Sequence, residues 1–593
     1  MGDQVTSGSG TGSASASASR PWLGLLAPVQ RAPVTPPPTV LHAFREAVAR
    51  APGRAALAYF DGRIGYAEAD ALSDSVAGHL AARGVRRGDR VAVMLQNTPH
   101  FVLAVLAAWK TGAVVVPLNP MYKSGEVGHV LHDSGAAALV CDGSAWEAYL
   151  REAVRGSAVR SVLTASDRDF QTRNDPRIFA ALPGAPAPVP PSIPHQQTAP
   201  ADAGAGPAAA TAGPDGGPPH TADLATVARR GHRAPDGPAP TAADTALISY
   251  TSGTSGTPKG AMNPHGALTY NAVRQVTSHP VPEGAGYFAL APLFHITGMV
   301  CELAACFVNA GTLVLAHRFD AGAVLDAFLE HRPAYTVGPA TAFMALAAHP
   351  AVTPGHFASF QVVSSGGAPL PPALVERLRT AFGFYLRNGY GLTECTAPCA
   401  TVPVHLEAPV DPASGTLSVG LPGADTIVRI LDEQGAELPL GRTGEIAVRG
   451  PQVVPGYWNL PDETAEAFPD GELRTGDVGF MDPDGWLYVV DRKKDMINAS
   501  GFKVWPREVE DVLYTHPAVR EAAVVGVPDP YRGESVKAYV SLRPGAPAEP
   551  DELSAYCAER LAAYKYPRQV EILPVLPKTT SGKILRRELR DRG

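Results

Sequence analysis

The chain has 593 residues, 45% of them hydrophobic, and a formal net charge of −7. This length implies more than one domain around sizeable cores, and the acidic balance excludes nucleic acid as the main partner, because a phosphate backbone demands basic surface. The six cysteines, Cys141, Cys301, Cys306, Cys395, Cys399 and Cys557, form no CxxC pair and no zinc pattern, so buried reduced thiols are expected.

Residues 1 to about 38 are rich in Ser, Gly, Ala and Pro and read as a disordered tail without the apolar region of a secretory signal. Short apolar runs then alternate with helix-like segments. Val91–Leu95 precedes "HFVLAVLAAWKTG", Ala113–Pro117 precedes "SGEVGHVLHDSG", and "AALVC" ends at Cys141. A second Pro/Ala/Gly-rich stretch, from about 182 to 243, reads as a disordered insert, since it cannot bury enough apolar surface to offset its ordering entropy. Beyond it, Thr312–Ala316, Tyr335–Gly338 and Gln361–Ser365 are each followed by a helical pattern. Continuous apolar strands between helices mean mostly parallel sheets covered on both faces, an α/β architecture whose ligands sit beyond the carboxyl ends of the strands. The most apolar stretch, Tyr287 to Ala316, is broken by Pro292, His295, Glu302 and Asn309 and reads as core, not as a membrane span. A cytoplasmic location is expected. From about Lys494 the texture changes to two helices and two strands, a small α+β unit of roughly 100 residues.

The loop "YTSGTSGTPKG" (250–260) follows the apolar run Ala246–Ile248. It lacks the Gly-Lys-Ser/Thr ending of a Walker A loop. Gly253 and Gly256 would still let the backbone approach an anion closely. Thr251, Ser252, Thr254, Ser255 and Thr257 add hydroxyls, and Lys259 adds a positive charge. The same composition also serves a plain flexible turn.

Four further segments follow in order: "NGYGLTE" (388–394), "RTGD" (474–477), "DRKKDMINASGFKVWPREVE" (491–510) and "PKTTSGKILRREL" (577–589). Together with the loop they resemble the adenylate-forming superfamily, which includes acyl-CoA synthetases, luciferases and peptide-synthetase adenylation domains. The resemblance covers all but the tail and the insert. It implies a large N-terminal domain at 39–493 and a small mobile C-terminal domain at 494–593, with a hinge at Lys494.

The resemblance further implies an enzyme, an acid–thiol ligase. It would use ATP and Mg²⁺ to convert a carboxylic acid into an acyl-adenylate, release pyrophosphate, and pass the acyl group to coenzyme A. The 250–260 loop would hold the β- and γ-phosphates, Thr251 and Glu394 the Mg²⁺, and Thr393 would touch the α-phosphate. Gly366, Gly367 and Ala368 of "SSGGAPL", with Tyr390 and Gly391, would form the adenine slot. Asp477 and Arg492 would lie at the ribose, and Lys583 would bridge carboxylate and phosphate. Gly501 would lie in the loop facing the site in the second step. His295, in "APLFHITGM", is either a core histidine or part of the acyl-pocket wall. Nothing after "GKILRRELRDRG" could be a carrier domain, so the acceptor is expected in trans. The pocket region looks most like medium- or long-chain fatty-acid–CoA ligases. The alternatives are an aryl-CoA ligase, an acyl-AMP ligase loading a carrier protein, or a non-catalytic nucleotide-binding relative.

Overall fold

The run from Pro99 to Lys110 carries apolar residues on every face, and a helix of that kind must be enclosed. It forms a helix in which every residue is buried, packed in one core with strands of two large sheets. Its one charge is satisfied locally: the Lys110 ammonium meets Asp70 Oδ1 and Asp74 Oδ1, each at 2.6 Å. The Trp109 indole donates to the carbonyl of Ala246 at 3.1 Å, tying the helix to the strand that leads into the 250–260 loop.

The computed structural model describes residues 20–179, 219–251, 258–368, 370–492, 495–499, 502–529, 533–579 and 583–592. Among these, the strands form four sheets. In the seven-stranded sheet, Arg90–Met94, Val114–Pro117, Ala136–Asp142, Ser161–Ala165 and Thr245–Tyr250 run parallel, and Gly260–Pro264 returns antiparallel at one edge. The nine-stranded sheet has a parallel centre containing Gly286–Phe288, Thr312–Leu315, Tyr335–Gly338, Val362–Gly366 and Leu386–Leu392. An antiparallel four-stranded sheet, Ile427–Leu431 through Leu487–Arg492, follows. The C-terminal unit is a five-stranded sheet around the hairpin Val519–Asp529 and Gly533–Leu542, packed with the helices Pro506–Thr515 and Pro550–Ala558. The expected α/β architecture with a smaller C-terminal α+β domain is present. All six cysteines are buried and unbridged. Among the described residues no helix is long and apolar enough to cross a membrane.

Parts of the two stretches expected to be disordered are folded. Residues 1–19 and 180–218 lie outside the described residues, but 20–38 and 219–243 are folded. In the first, Trp22 is 2% exposed and lies so close to Gly485 that a Cβ there would stand 2.7 Å from the Trp22 nitrogen. Gly485 also has φ +89, so the contact and the turn both require glycine. Arg274 donates to the carbonyls of Gln30 and Ala32 at 2.9 and 3.1 Å. In the second stretch, His220–Asp223 adds a parallel strand beside Ser161–Ala165, and Leu224 and Val227 of the next helical turn are fully buried. A few apolar residues in Pro- and Ala-rich sequence give no periodic signal, yet each fills a site prepared by distant elements.

Trp109→Ala should cost about 3–5 kcal/mol, the range for emptying a buried aromatic site, and should appear as a lowered thermal midpoint. A pH effect follows from the buried histidines. Burial pushes His265, His279 and His317 each down to about 4 from 6.5. Between these values the unfolded chain takes up protons that the folded chain refuses. The histidine contribution is therefore complete above pH 6.5 and is lost as pH falls toward 4. The thermal midpoint should decline across that window, and a flat profile would contradict the assignment.

Candidate active site

The site lies where the carboxyl ends of several strands converge, the place an open α/β sheet offers for a ligand. Strand Thr245–Tyr250 delivers the 250–260 loop, and Gly260–Pro264 returns from it. The neck is closed by the Thr251 amide donating to the Lys259 carbonyl at 2.9 Å. The Lys259 ammonium lies 5.3 Å from the ring centre of Tyr457. Ser252, Gly253, Thr254, Ser255 and Gly256 lie outside the described residues, as do Lys494 and Gly501.

The strand Leu386–Leu392 leads into a single turn, Thr393–Cys395. Two asparagines brace this turn from the loop's side. Asn263 donates to the Thr393 carbonyl at 2.9 Å and the Thr396 hydroxyl at 3.1 Å, and Asn271 donates to the Thr396 carbonyl at 2.7 Å. Glu394 Oε1 accepts from the Tyr457 hydroxyl at 2.9 Å. Burial first, and the Glu394 charge second, hold that phenol protonated. The same tyrosine thus touches both the loop lysine and the glutamate.

The neighbouring strand Val362–Gly366 ends in Gly366, Gly367 and Ala368. A Cβ at Gly366 would stand 3.1 Å from the Gly389 carbonyl oxygen, so the two strand ends approach as closely as backbone permits. Tyr390, 9% exposed, donates to Asp477 Oδ2 at 2.7 Å. Asp477 is itself 6% exposed and pairs in register with Arg492 on the adjacent strand. Burial and the Asp477 carboxylate raise the Tyr390 pKa well above its ordinary value. The tyrosine is therefore a permanent donor that orients the carboxylate.

Lys583, from the C-terminal unit, completes the constellation. Its Thr579–Lys583 neck is fastened by the Lys583 amide donating to the Thr579 hydroxyl at 3.0 Å. A Cβ added at Gly367 (φ +78) would lie 3.3 Å from Lys583 Cε and 3.7 Å from Nζ. Lys583 shares a cavity of about 80 Å³ with Gly366, Gly367, Tyr390, Gly391, Thr393 and His295. His295 is half-buried, and its Nδ1 accepts from the Thr297 amide at 3.3 Å. Desolvation of the ring, then the charge of Lys583, pushes His295 down to about 3. A neutral ring is what the site presents above that pH.

Sequence reasoning missed the far end of this cavity. Gln275 Nε2 donates to both His279 Nδ1 and the Tyr335 hydroxyl, each at 2.8 Å, and His279 Nε2 lies 3.0 Å from the Val402 carbonyl. Beside them, Glu302 sits in a widened helical turn, Gly298–Ala304. Its Oε1 accepts from the amides of Leu290, Ala291 and Val337 at 3.1–3.3 Å. Burial raises its pKa, against the opposing pull of the three amides, and the carboxyl group staples two strand ends. The usable signal was positional: Gln275 falls on the stripe with Leu268 and Ala272, where an apolar residue belongs.

The donor set agrees with a nucleotide triphosphate and its cation. Glu394 and Thr251 offer a carboxylate and a hydroxyl, oxygen ligands suited to Mg²⁺. Among the described residues no group of three or more His, Cys, Asp or Glu could hold a metal alone, so the remaining ligands would be phosphate and water oxygens.

The chain is similar to known proteins. A feruloyl-CoA synthase from an Amycolatopsis species is 36% identical over 531 residues, covering 89% of this chain and 93% of that protein. A long-chain-fatty-acid–CoA ligase of Bacillus subtilis strain 168 is 32% identical over 568 residues, 93% of this chain and 94% of its own length. The o-succinylbenzoate coenzyme A synthetase of Bacillus subtilis, solved with ATP and magnesium, superposes with a TM-score of 0.73 at 30% identity, covering 94% of this chain and all of that one. Residues 44–458 match the model of the AMP-binding enzymes and residues 508–583 that of their C-terminal domain, and the chain belongs to this family.

Proposed function

We propose that the chain activates a carboxylic acid with ATP and transfers the acyl group to coenzyme A, in the cytoplasm. A carboxylate oxygen attacks the α-phosphorus, the bond to the β-phosphate oxygen breaks, and pyrophosphate leaves. The sulfur of coenzyme A then attacks the acyl carbonyl, AMP departs, and the thiol proton passes to solvent. The observation that carries this reading is Lys583. A cation from the end of the chain lies against Gly367, in one cavity with the Tyr390 slot and the neutral His295.

The first step brings two anions together, so its barrier is set by charge neutralisation and alignment. Lys583 would bridge carboxylate and α-phosphate, where its charge counts most as negative charge concentrates in the transition state. Thr393 would donate to the α-phosphate. Ser252, Gly253, Thr254, Ser255, Gly256 and Lys259 would hold the departing phosphates. Thr251 and Glu394 would hold Mg²⁺, which when bound neutralises phosphate charge. Gly366, Gly367, Ala368, Tyr390 and Gly391 would receive the adenine, and Asp477 with Arg492 the ribose. The hydrogen bond from Tyr390 to Asp477 supports that reading, since it would fix the carboxylate's orientation. His295 would line the acyl pocket. Lys494 would be the hinge that withdraws Lys583 before the thiol arrives, with Gly501 in the loop replacing it.

For the acid itself, the motifs favour a fatty acid. One observation favours the second reading, an aromatic acid: the lining of the cavity includes the polar side chains Gln275, His279 and Tyr335. A pure hydrocarbon tail cannot reward these groups, whereas a ring bearing a hydroxyl or methoxy group can. The likeness to both a feruloyl-CoA synthase and long-chain ligases agrees with either acid.

Lys583→Ala should lower ATP–pyrophosphate exchange about 10²–10³-fold, the usual size of a lost transition-state donor, while equilibrium ATP binding changes only a few-fold. Undiminished exchange would remove the basis of the mechanism. A panel of acids with ATP and coenzyme A, read as thioester by mass, should show hydroxylated cinnamate-type acids exceeding cinnamate itself if the polar end reads a substituent. Saturated acids alone as substrates would return the assignment to the fatty acids.

A further inference from the structure

We propose that Gln275 is the wall that limits the length of the acyl group, because it lines, with Pro398 and Thr401, both the acyl pocket and a second cavity; the proposal rests on the acid-activation reading above. The second cavity measures about 40 Å³, room for about three water-sized groups. The second cavity is also lined by Leu26 and Gln30 of the N-terminal segment and by Arg274. Arg274 in turn is held by Asp425 and by the carbonyls of Gln30 and Ala32.

The wall is fixed, not hinged. Gln275 is 5% exposed, and its amide nitrogen donates to two partners that are 2% and 1% exposed, His279 and Tyr335. Swinging it aside would strand a buried imidazole nitrogen and a buried hydroxyl, each at the cost of an unmade hydrogen bond. The neighbouring helix position that could relieve it, Asn271, is committed to the Thr396 carbonyl. An acyl group entering past His295 therefore meets a fixed polar side chain that also borders the second cavity. The acid that fits is short or ring-sized.

The measurement is kcat/KM for hexanoate and for dodecanoate, read as thioester formation by the full-length enzyme. Wild type should favour hexanoate. Gln275→Ala, which joins the two cavities, should raise the dodecanoate-to-hexanoate ratio at least about 10-fold, the smallest discrimination one methylene usually gives in an apolar pocket. Gln275→Met keeps the bulk without the amide, and its ratio should stay within about 3-fold of wild type. If Gln275→Ala does not fold, Gln275→Asn, one methylene shorter with the amide retained, should move the ratio the same way by a smaller step. Equal ratios in wild type and the shortened variants would overturn the proposal, as would an equal shift in Gln275→Met or a wild type that already prefers dodecanoate. Failure of every acid tested to support pyrophosphate exchange would instead overturn the reading beneath it.

Discussion

The constraint on which the candidate site depends is the placement of one ammonium group by a unit other than the one that holds Gly367. Lys583 meets Gly367 only if the end of the chain is held in a fixed relation to the strand ends of the large domain. Arg586, three positions on, does this. Its guanidinium contacts Asp491 Oδ1 at 2.9 Å and Glu510 Oε2 at 2.7 Å. Asp491 terminates the antiparallel sheet, and Glu510 lies on the first helix of the C-terminal unit. Both carboxylates are buried, and so charged a cluster persists only because each member has partners. Asp491 also accepts from the Arg507 amide at 3.0 Å. The segment that carries the lysine is thus held by a buried ion network.

Much of this was legible in the sequence because the signals were local. The strands around Val91, Val115, Leu139, Val314, Thr336 and Val363 are short apolar runs, and each is a strand within a residue or two of the run. Gly366 and Gly367 were legible as a pair of small residues at a strand end, and an added Cβ at Gly366 would be crowded by the Gly389 carbonyl oxygen at 3.1 Å. What the runs could not say was which sheet each strand joins. Val115 and Val314 look alike in sequence, yet one pairs with Val91 and the other with Ala58. That choice is made by contacts distant along the chain.

The parts that stayed hidden share one property. Tyr457, Asn263 and Asn271 act by bracing the turn at Thr393, and their partners are known only once the chain has folded. Glu302 reads in sequence as a flaw in an apolar helix, whereas in the fold three backbone amides aim at it. The N-terminal stretch from Arg20 failed to announce itself because its composition argues for disorder. Its order is supplied by Gly485, Arg274 and Asp425, residues that no local window contains.

That last arrangement bears on how the protein is made. Arg20 donates to the carbonyl of Ala424, 404 residues away, and Trp22 waits for a turn at Gly485. A chain leaving the ribosome in order exposes its opening segment first and its receptor near the end. Closing so long a loop is entropically slow to begin, although extra length adds little further cost. The opening segment therefore cannot complete its contacts until the chain has been made past Gly485.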